Sequence, residues 1–162
     1  EQFAAESIEW NMTGGVDERM EDDVSAEKLF FLLKQISLNL TPQLEGHMKS
    51  SDISGVQAYF LVYILRHHPE GTYLTELCHE IGVSKSTISA LIKKLREKGY
   101  LCFQENPEDI RKKEVLPTEK LLAEREELLA KAVSMETELC GRLNPKERGQ
   151  LWNLGQKLLA RG

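Results

Sequence analysis

The sequence predicts a mainly helical protein with one small β-hairpin: a winged helix-turn-helix flanked by N- and C-terminal dimerisation helices. Three observations predict it. A short amphipathic pattern is followed, across a glycine turn, by a serine-capped second one. The period then switches from helical to alternating around a proline-containing turn. Leucine-rich helical patterns lie on both sides of this centre. The divisions are an acidic arm over 1–23, a helical dimerisation region over 24–53 and 118–162, and the winged helix over 54–117.

The centre is Val83-Ser84-Lys85-Ser86-Thr87-Ile88. Ser84 is an N-cap, its hydroxyl able to accept a free backbone N–H of the first turn. Val83 and Ile88 occupy the positions of a hydrophobic staple. Ile88, Leu91, Ile92 and Leu95 recur at helical spacing, and Gly99 supplies the left-handed residue that ends the helix. Upstream, Leu74, Leu77, Cys78 and Ile81 form a shorter stripe closed by Gly82, which completes a helix-turn-helix.

The polar face carries Ser86, Ser89, Ala90, Lys93 and Lys94, with Lys85 and Arg96 at the flanks. Small hydroxyl and methyl groups let a helix start approach base edges in a major groove, while lysines reach phosphates. Ser86, Thr87 and Ser89 are therefore the candidate base readers and Lys85, Lys93 and Lys94 the phosphate contacts, with the cap Ser84 also counted in the DNA-binding set. From Ser84 to Lys98 five basic residues stand against one acid.

After Gly99, Tyr100-Leu101-Cys102-Phe103-Gln104 reads as a strand. The turn Asn106-Pro107-Glu108-Asp109, the run Arg111-Lys112-Lys113 and the exit Val115-Leu116 complete a hairpin wing. Arg111 is expected in or along the minor groove, its guanidinium oriented by the Asp109 carboxylate, with Lys112 and Lys113 beside it.

Gly82 to Ser89, Leu95 with Gly99-Tyr100-Leu101, and Asn106 to Arg111 together resemble the MarR (multiple antibiotic resistance regulator) family. Asp109, Arg111, Lys113, Val115 and Thr118 fall on the positions of that family's wing pattern. Asn106, Pro117, Leu121 and Ala90 depart from it. The resemblance covers roughly Ser25 to Arg161. It implies a homodimer that binds a pseudo-palindromic operator in double-stranded DNA, by expectation as a repressor, under control of a small aromatic or anionic effector. It also implies an effector pocket between dimer helices and winged helix, with Phe30, Tyr59, Tyr63 and His67 as its candidate lining.

The outer segments support the dimer independently. Ser25 can cap a helix through Leu29, Phe30, Leu33, Ile36 and Leu40, which Thr41-Pro42 is expected to kink or end before a polar loop over Glu45–Asp52. Ser54 to Gln57 has capping-box spacing ahead of the apolar run Tyr59–Leu65, a helix for the centre of the core. Thr118 can cap a long helix through Leu121, Leu128, Ala132, Met135 and Leu139, a seam interrupted by Arg125. Asn144-Pro145-Lys146-Glu147 starts a last helix bearing Leu151, Leu154, Leu158 and Leu159. One small module cannot bury that much leucine; a two-fold pairing of outer helices would.

The net charge of −5 is unevenly spread. Glu1–Glu27 holds nine acids and one arginine, whereas Lys28–Gly162 holds twenty bases and seventeen acids. A protein meets DNA with a patch, not with its average. No apolar run is long enough to span a membrane and no signal-peptide pattern opens the chain. Cys78, Cys102 and Cys140 form neither a disulfide framework nor a zinc pair, and ordinary packing is expected of them, so the expected location is the cytoplasm.

No phosphate loop, nucleophile motif or singled-out carboxylate pair occurs, so neither enzyme activity nor a cofactor is expected. His47, His67, His68 and His79 lack the spacing of metal ligands and read as surface histidines. A winged-helix protein–protein module without DNA binding is the alternative, supported by Ala90, Glu105 and Glu108. The basic residues retained on the helix and wing favour DNA.

Overall fold

The computed structural model describes residues 24–160, and the acidic arm lies outside the described residues. The chain divides into two compact units, 1–37 and 38–162. Helix α1 (Ala26–Met48) begins in the first and ends in the second. Its start is capped as expected, the Lys28 N–H donating to Ser25 Oγ at 3.2 Å.

Pro42 does not end α1, and the segment expected as a polar loop from Glu45 is helical to Met48. An interior proline costs about 3 kcal/mol, yet the last turns are held by tertiary contacts. Met48 is buried, Leu44 packs on the core, and the Glu45 carboxylate accepts the Gly55 N–H at 2.8 Å. Local propensity therefore gives way to packing.

Helix α2 (Gly55–His67) starts with the predicted capping box between Ser54 and Gln57. Its Ala58, Phe60, Leu61, Val62, Ile64 and Leu65 are all buried, as a helix apolar on nearly every side requires. Gly55 is needed where α2 meets α1: a Cβ there would stand 2.2 Å from the Leu44 carbonyl oxygen. A short strand, β1 (Thr72–Tyr73), precedes α3 (Leu74–Ile81), which ends on Gly82 in the left-handed region.

Helix α4 (Lys85–Glu97) buries Ile88, Ile92 and Leu95. Its end is a Schellman motif, with Tyr100 N–H bonded to the Leu95 carbonyl at 2.9 Å and Gly99 N–H to that of Arg96 at 3.0 Å. The hairpin follows as β2 (Leu101–Asn106) and β3 (Asp109–Pro117). The antiparallel sheet has the order β1-β3-β2, with Thr72 and Phe103 both opposite Val115. The pattern of the sequence contains no hint of β1, because two residues carry no period of their own.

Thr118 caps α5 (Glu119–Ala123), accepting the Leu121 N–H at 3.4 Å and donating towards the Gly99 carbonyl at 2.6 Å. The single long helix expected here is interrupted. Glu124 leaves helical geometry, and α6 (Arg125–Cys140) starts afresh beside the Arg125 that breaks the apolar seam. Both pieces still bury their seam residues Leu121, Leu128, Ala132 and Met135. Helix α7 (Pro145–Leu159) carries the predicted Asn144–Glu147 capping box but buries no residue, leaving Leu151, Trp152, Leu154, Leu158 and Leu159 exposed. Phe30, Leu33 and Ile36 of α1 are exposed as well.

Candidate nucleic-acid interface

The start of α4 is organised by one hydroxyl. Ser84 Oγ accepts the Thr87 N–H at 3.3 Å and lies 3.1 Å from Ser86 Oγ and 2.8 Å from Thr87 Oγ1. The cap therefore orients two of the hydroxyls assigned to base reading as well as satisfying the backbone. Lys85, Ser86, Thr87, Ser89, Ala90, Lys93 and Lys94 are all exposed, whereas Ile88, Ile92 and Leu95 anchor the helix in the core. This separation is what an amphipathic helix needs to present one face to a partner.

The wing turns on side-chain acceptors. Asn106 Oδ1 accepts the Glu108 N–H at 2.9 Å, and Asp109 Oδ1 accepts the backbone N–H of Arg111 at 3.0 Å. This corrects the expected role of Asp109, whose carboxylate holds the Arg111 backbone rather than its guanidinium. An acceptor two residues before an N–H closes a small Asx-type ring more readily than it reaches the end of a long side chain. Arg111, Lys112 and Lys113 are exposed.

Helix and wing meet in a cleft of ≈ 410 Å³ whose walls include Lys85, Arg111, Lys112, Lys113, Glu76 and Phe103. A second cleft of ≈ 480 Å³ includes Lys93, Arg96, Glu97 and Phe103. Phe103 lines both, with the Arg96 guanidinium carbon 4.0 Å from its ring centroid. In the sequence Phe103 reads only as a strand residue; its signal is an aromatic at an exposed position of the pattern. Six cations on helix and wing thus line the two clefts against two acids, an arrangement suited chemically to a polyanion.

Three of the candidate effector residues, Tyr59, Tyr63 and His67, lie on α2. Tyr59 and Tyr63 stand one turn apart on α2, but their hydroxyls are engaged separately. Tyr59 donates to Glu136 Oε2 at 2.7 Å, and Tyr63 donates to Glu80 Oε2 at 2.5 Å. The Tyr59 phenol is pushed up to about 12, by burial first and then by Glu136. The Tyr63 phenol rises to about 12 chiefly through its bond to Glu80, so both remain protonated donors. His67 lies against Tyr63, ring centroids 4.6 Å apart. Phe30 belongs to the other unit and is exposed.

His68 reaches Glu80 at 2.7 Å, and His47 reaches Glu138 at 2.6 Å. Among the described residues no group of three or more His, Cys, Asp or Glu side chains is placed to hold a metal ion. Of the cysteines, Cys78 is half-buried; Cys102 and Cys140 are exposed, which corrects the expectation of ordinary packing for these two. Cys102 sits on a strand whose middle residues are open to solvent on both faces, so an apolar pattern there did not mean burial. No described helix is long and apolar enough to cross a membrane.

Residues 51–112 match the model of the MarR family. No curated protein matches the chain by sequence. Among solved structures, the Staphylococcus aureus MepR–DNA complex is similar at a TM-score of 0.73 and 20% identity, over 85% of this chain and 97% of that one. Bordetella bronchiseptica BpsR, whose DNA binding is regulated by 6-hydroxynicotinic acid, is similar at 0.69 and 21%, over 82% and 99%. A mutant Escherichia coli MarR complexed with operator DNA is similar at 0.70 and 22%, over 82% and 94%. At these identities the likeness is one of fold.

Proposed function

From the premise that this chain carries a MarR-family winged helix, we propose that it is a homodimeric, DNA-binding transcription regulator, acting as a repressor. The observation that carries the reading is the cleft shared by Lys85 of α4 and Arg111, Lys112 and Lys113 of the wing. It brings the start of the recognition helix and the basic wing to one face. In this reading α4 enters the major groove, Ser86, Thr87 and Ser89 read base edges, and Lys85, Lys93 and Lys94 meet phosphates. Arg111 extends to the adjacent minor groove.

A second copy covers the exposed apolar faces of α1 and α7. Burying a leucine fully is worth about 1.5–3 kcal/mol, and several per copy are available. Two recognition helices then address half-sites of a pseudo-palindrome about 34–36 Å apart.

The effector is a small aromatic or anionic molecule. BpsR and the p-coumaroyl-CoA-bound CouR from Rhodococcus jostii support this class by likeness. Phe30, Tyr59, Tyr63 and His67 remain its proposed contacts. It acts only through different affinities for the DNA-competent and incompetent forms.

Selection of binding sites from a random duplex pool, followed by gel shift and sedimentation, tests the reading. A two-fold-related logo bound by a dimer is expected. A monomer, or a dimer that selects no duplex, would contradict it. The latter result would favour a protein-binding winged helix, for which exposed Glu105 and Glu108 on the wing are the supporting feature.

A further inference from the structure

Phe103 on β2 faces cations from two different elements. It is 37% exposed, with Arg96 Cζ 4.0 Å and Lys113 Nζ 5.6 Å from the ring centroid. Arg96 lies in the last turn of α4 and Lys113 in β3. The strand register explains the second contact. Phe103 is opposite Val115 and Glu105 is opposite Lys113, so Lys113 is the diagonal neighbour of Phe103 on one face of the hairpin. The register shifts beyond this pair, between Glu105 and Asn106, and Arg111 lines the same cleft as Lys113 and Phe103.

A leucine at this position would keep an apolar side chain opposite Val115 in the register. The aromatic ring adds an electronegative face that attracts cations within about 6 Å. Neither Arg96 nor Lys113 takes part in the carboxylate ion pairs among the described residues. The ring is thus their shared neighbour, and it joins the end of α4 to the wing.

We propose that Phe103 is a positioning residue: its ring gathers Arg96 and Lys113 and sets the wing against the recognition helix before DNA arrives. This rests on the DNA-binding reading above. Cations already held in place lose less conformational freedom when phosphates bind, so the ring raises affinity without touching a base. The effect is on all sequences alike, because neither cation is assigned to a base edge.

The test compares Phe103→Leu with Phe103→Tyr in the full chain, using a selected duplex and the side-chain NMR signals of Arg96. In the wild type the Arg96 δ and ε protons should be shifted upfield by the ring. Phe103→Tyr should keep both the shift and the affinity. Phe103→Leu should lose the shift and bind about five- to thirty-fold more weakly per operator carrying two such clusters, with an unchanged logo. Should the leucine variant melt early, Phe103→Met carries the same expectation. Unshifted Arg96 signals in the wild type, or wild-type affinity in a folded leucine or methionine variant, would overturn the proposal. A wild-type protein that selects no duplex would overturn the DNA reading itself, while the Arg96 signals would still decide whether the ring holds the guanidinium.

Discussion

Arg66 presents two guanidinium nitrogens to Glu136, at 2.7 and 2.6 Å, and so ties α2 to α6. The Arg66 bond holds the Glu136 carboxyl below its ordinary range, with a smaller contribution from the Tyr59 hydroxyl against the opposing effect of burial. A depressed carboxylate stabilises the fold above its unfolded value, and that contribution is lost as pH falls through the folded one. Both side chains are 31% exposed, so solvent screening keeps the pair to about 1 kcal/mol. Glu136→Gln should therefore lower the melting temperature at neutral pH, and the two melting curves should converge in acid. Parallel curves down to about pH 2 would show that the pair adds nothing.

His47 behaves with the opposite sign. Its Nε2 faces the Glu138 carboxylate and its Nδ1 the Gln43 carbonyl, so both nitrogens donate only when the ring is charged. The Glu138 bond, then that to Gln43, raises its pKa. The stabilisation is complete below the ordinary histidine value and disappears as pH rises through the raised one. Histidine NMR titration should give His47 a higher midpoint than a free histidine, and Glu138→Gln should lower it. An unmoved midpoint in that variant would refute the contact.

Two glycines separate packing from propensity. Gly55→Ala forces a Cβ to 2.2 Å from the Leu44 carbonyl oxygen, with backbone on both sides, and should destabilise by about 1–3 kcal/mol. Gly46, inside α1 with open space around it, should accept alanine and gain about 0.5–1 kcal/mol. Chemical denaturation of both variants checks the pair; equal effects would contradict the close approach of α1 and α2.

The features legible in the sequence were those whose causes are local. Ser84, Gly82 and Gly99 announce the ends of α3 and α4, Asn144-Pro145 announces α7, and the Pro107 turn announces the wing. What stayed hidden depends on partners distant in sequence. Thr72–Tyr73 is a strand only because β3 pairs with it, and Pro42 stays helical because Met48 and Glu45 are anchored elsewhere. The exposed face of α4 was legible from its period; the meeting of Arg96 with Phe103 was not, because it is a contact between a helix end and a strand.

Ser86 and Ser84 should behave differently on mutation. Ser86→Ala removes a proposed base contact and should change preference at one or two base pairs by about 1–3 kcal/mol, with stability nearly unchanged. Ser84→Ala removes the cap as well and should cost about 1 kcal/mol of stability. Site selection and thermal melts on both variants distinguish them. An unchanged logo for Ser86→Ala would remove it from the set of base readers.

DNA recognition by helix and wing together is tested most sharply by the salt dependence of affinity, measured for the wild type and Arg111→Ala. Arg111 is exposed on the wing and shares a cleft with Lys85, while Asp109 holds its backbone and leaves the guanidinium to reach outward. Truncation should leave the sedimentation coefficient and melting temperature nearly intact. Affinity should fall for every sequence. The slope of log K against log salt should shrink by about 0.9 for each phosphate no longer neutralised, about 1.8 for two copies. A folded Arg111→Ala dimer with unaltered affinity and slope would contradict the wing contact, and a wild type with no salt-dependent DNA binding would contradict the function itself.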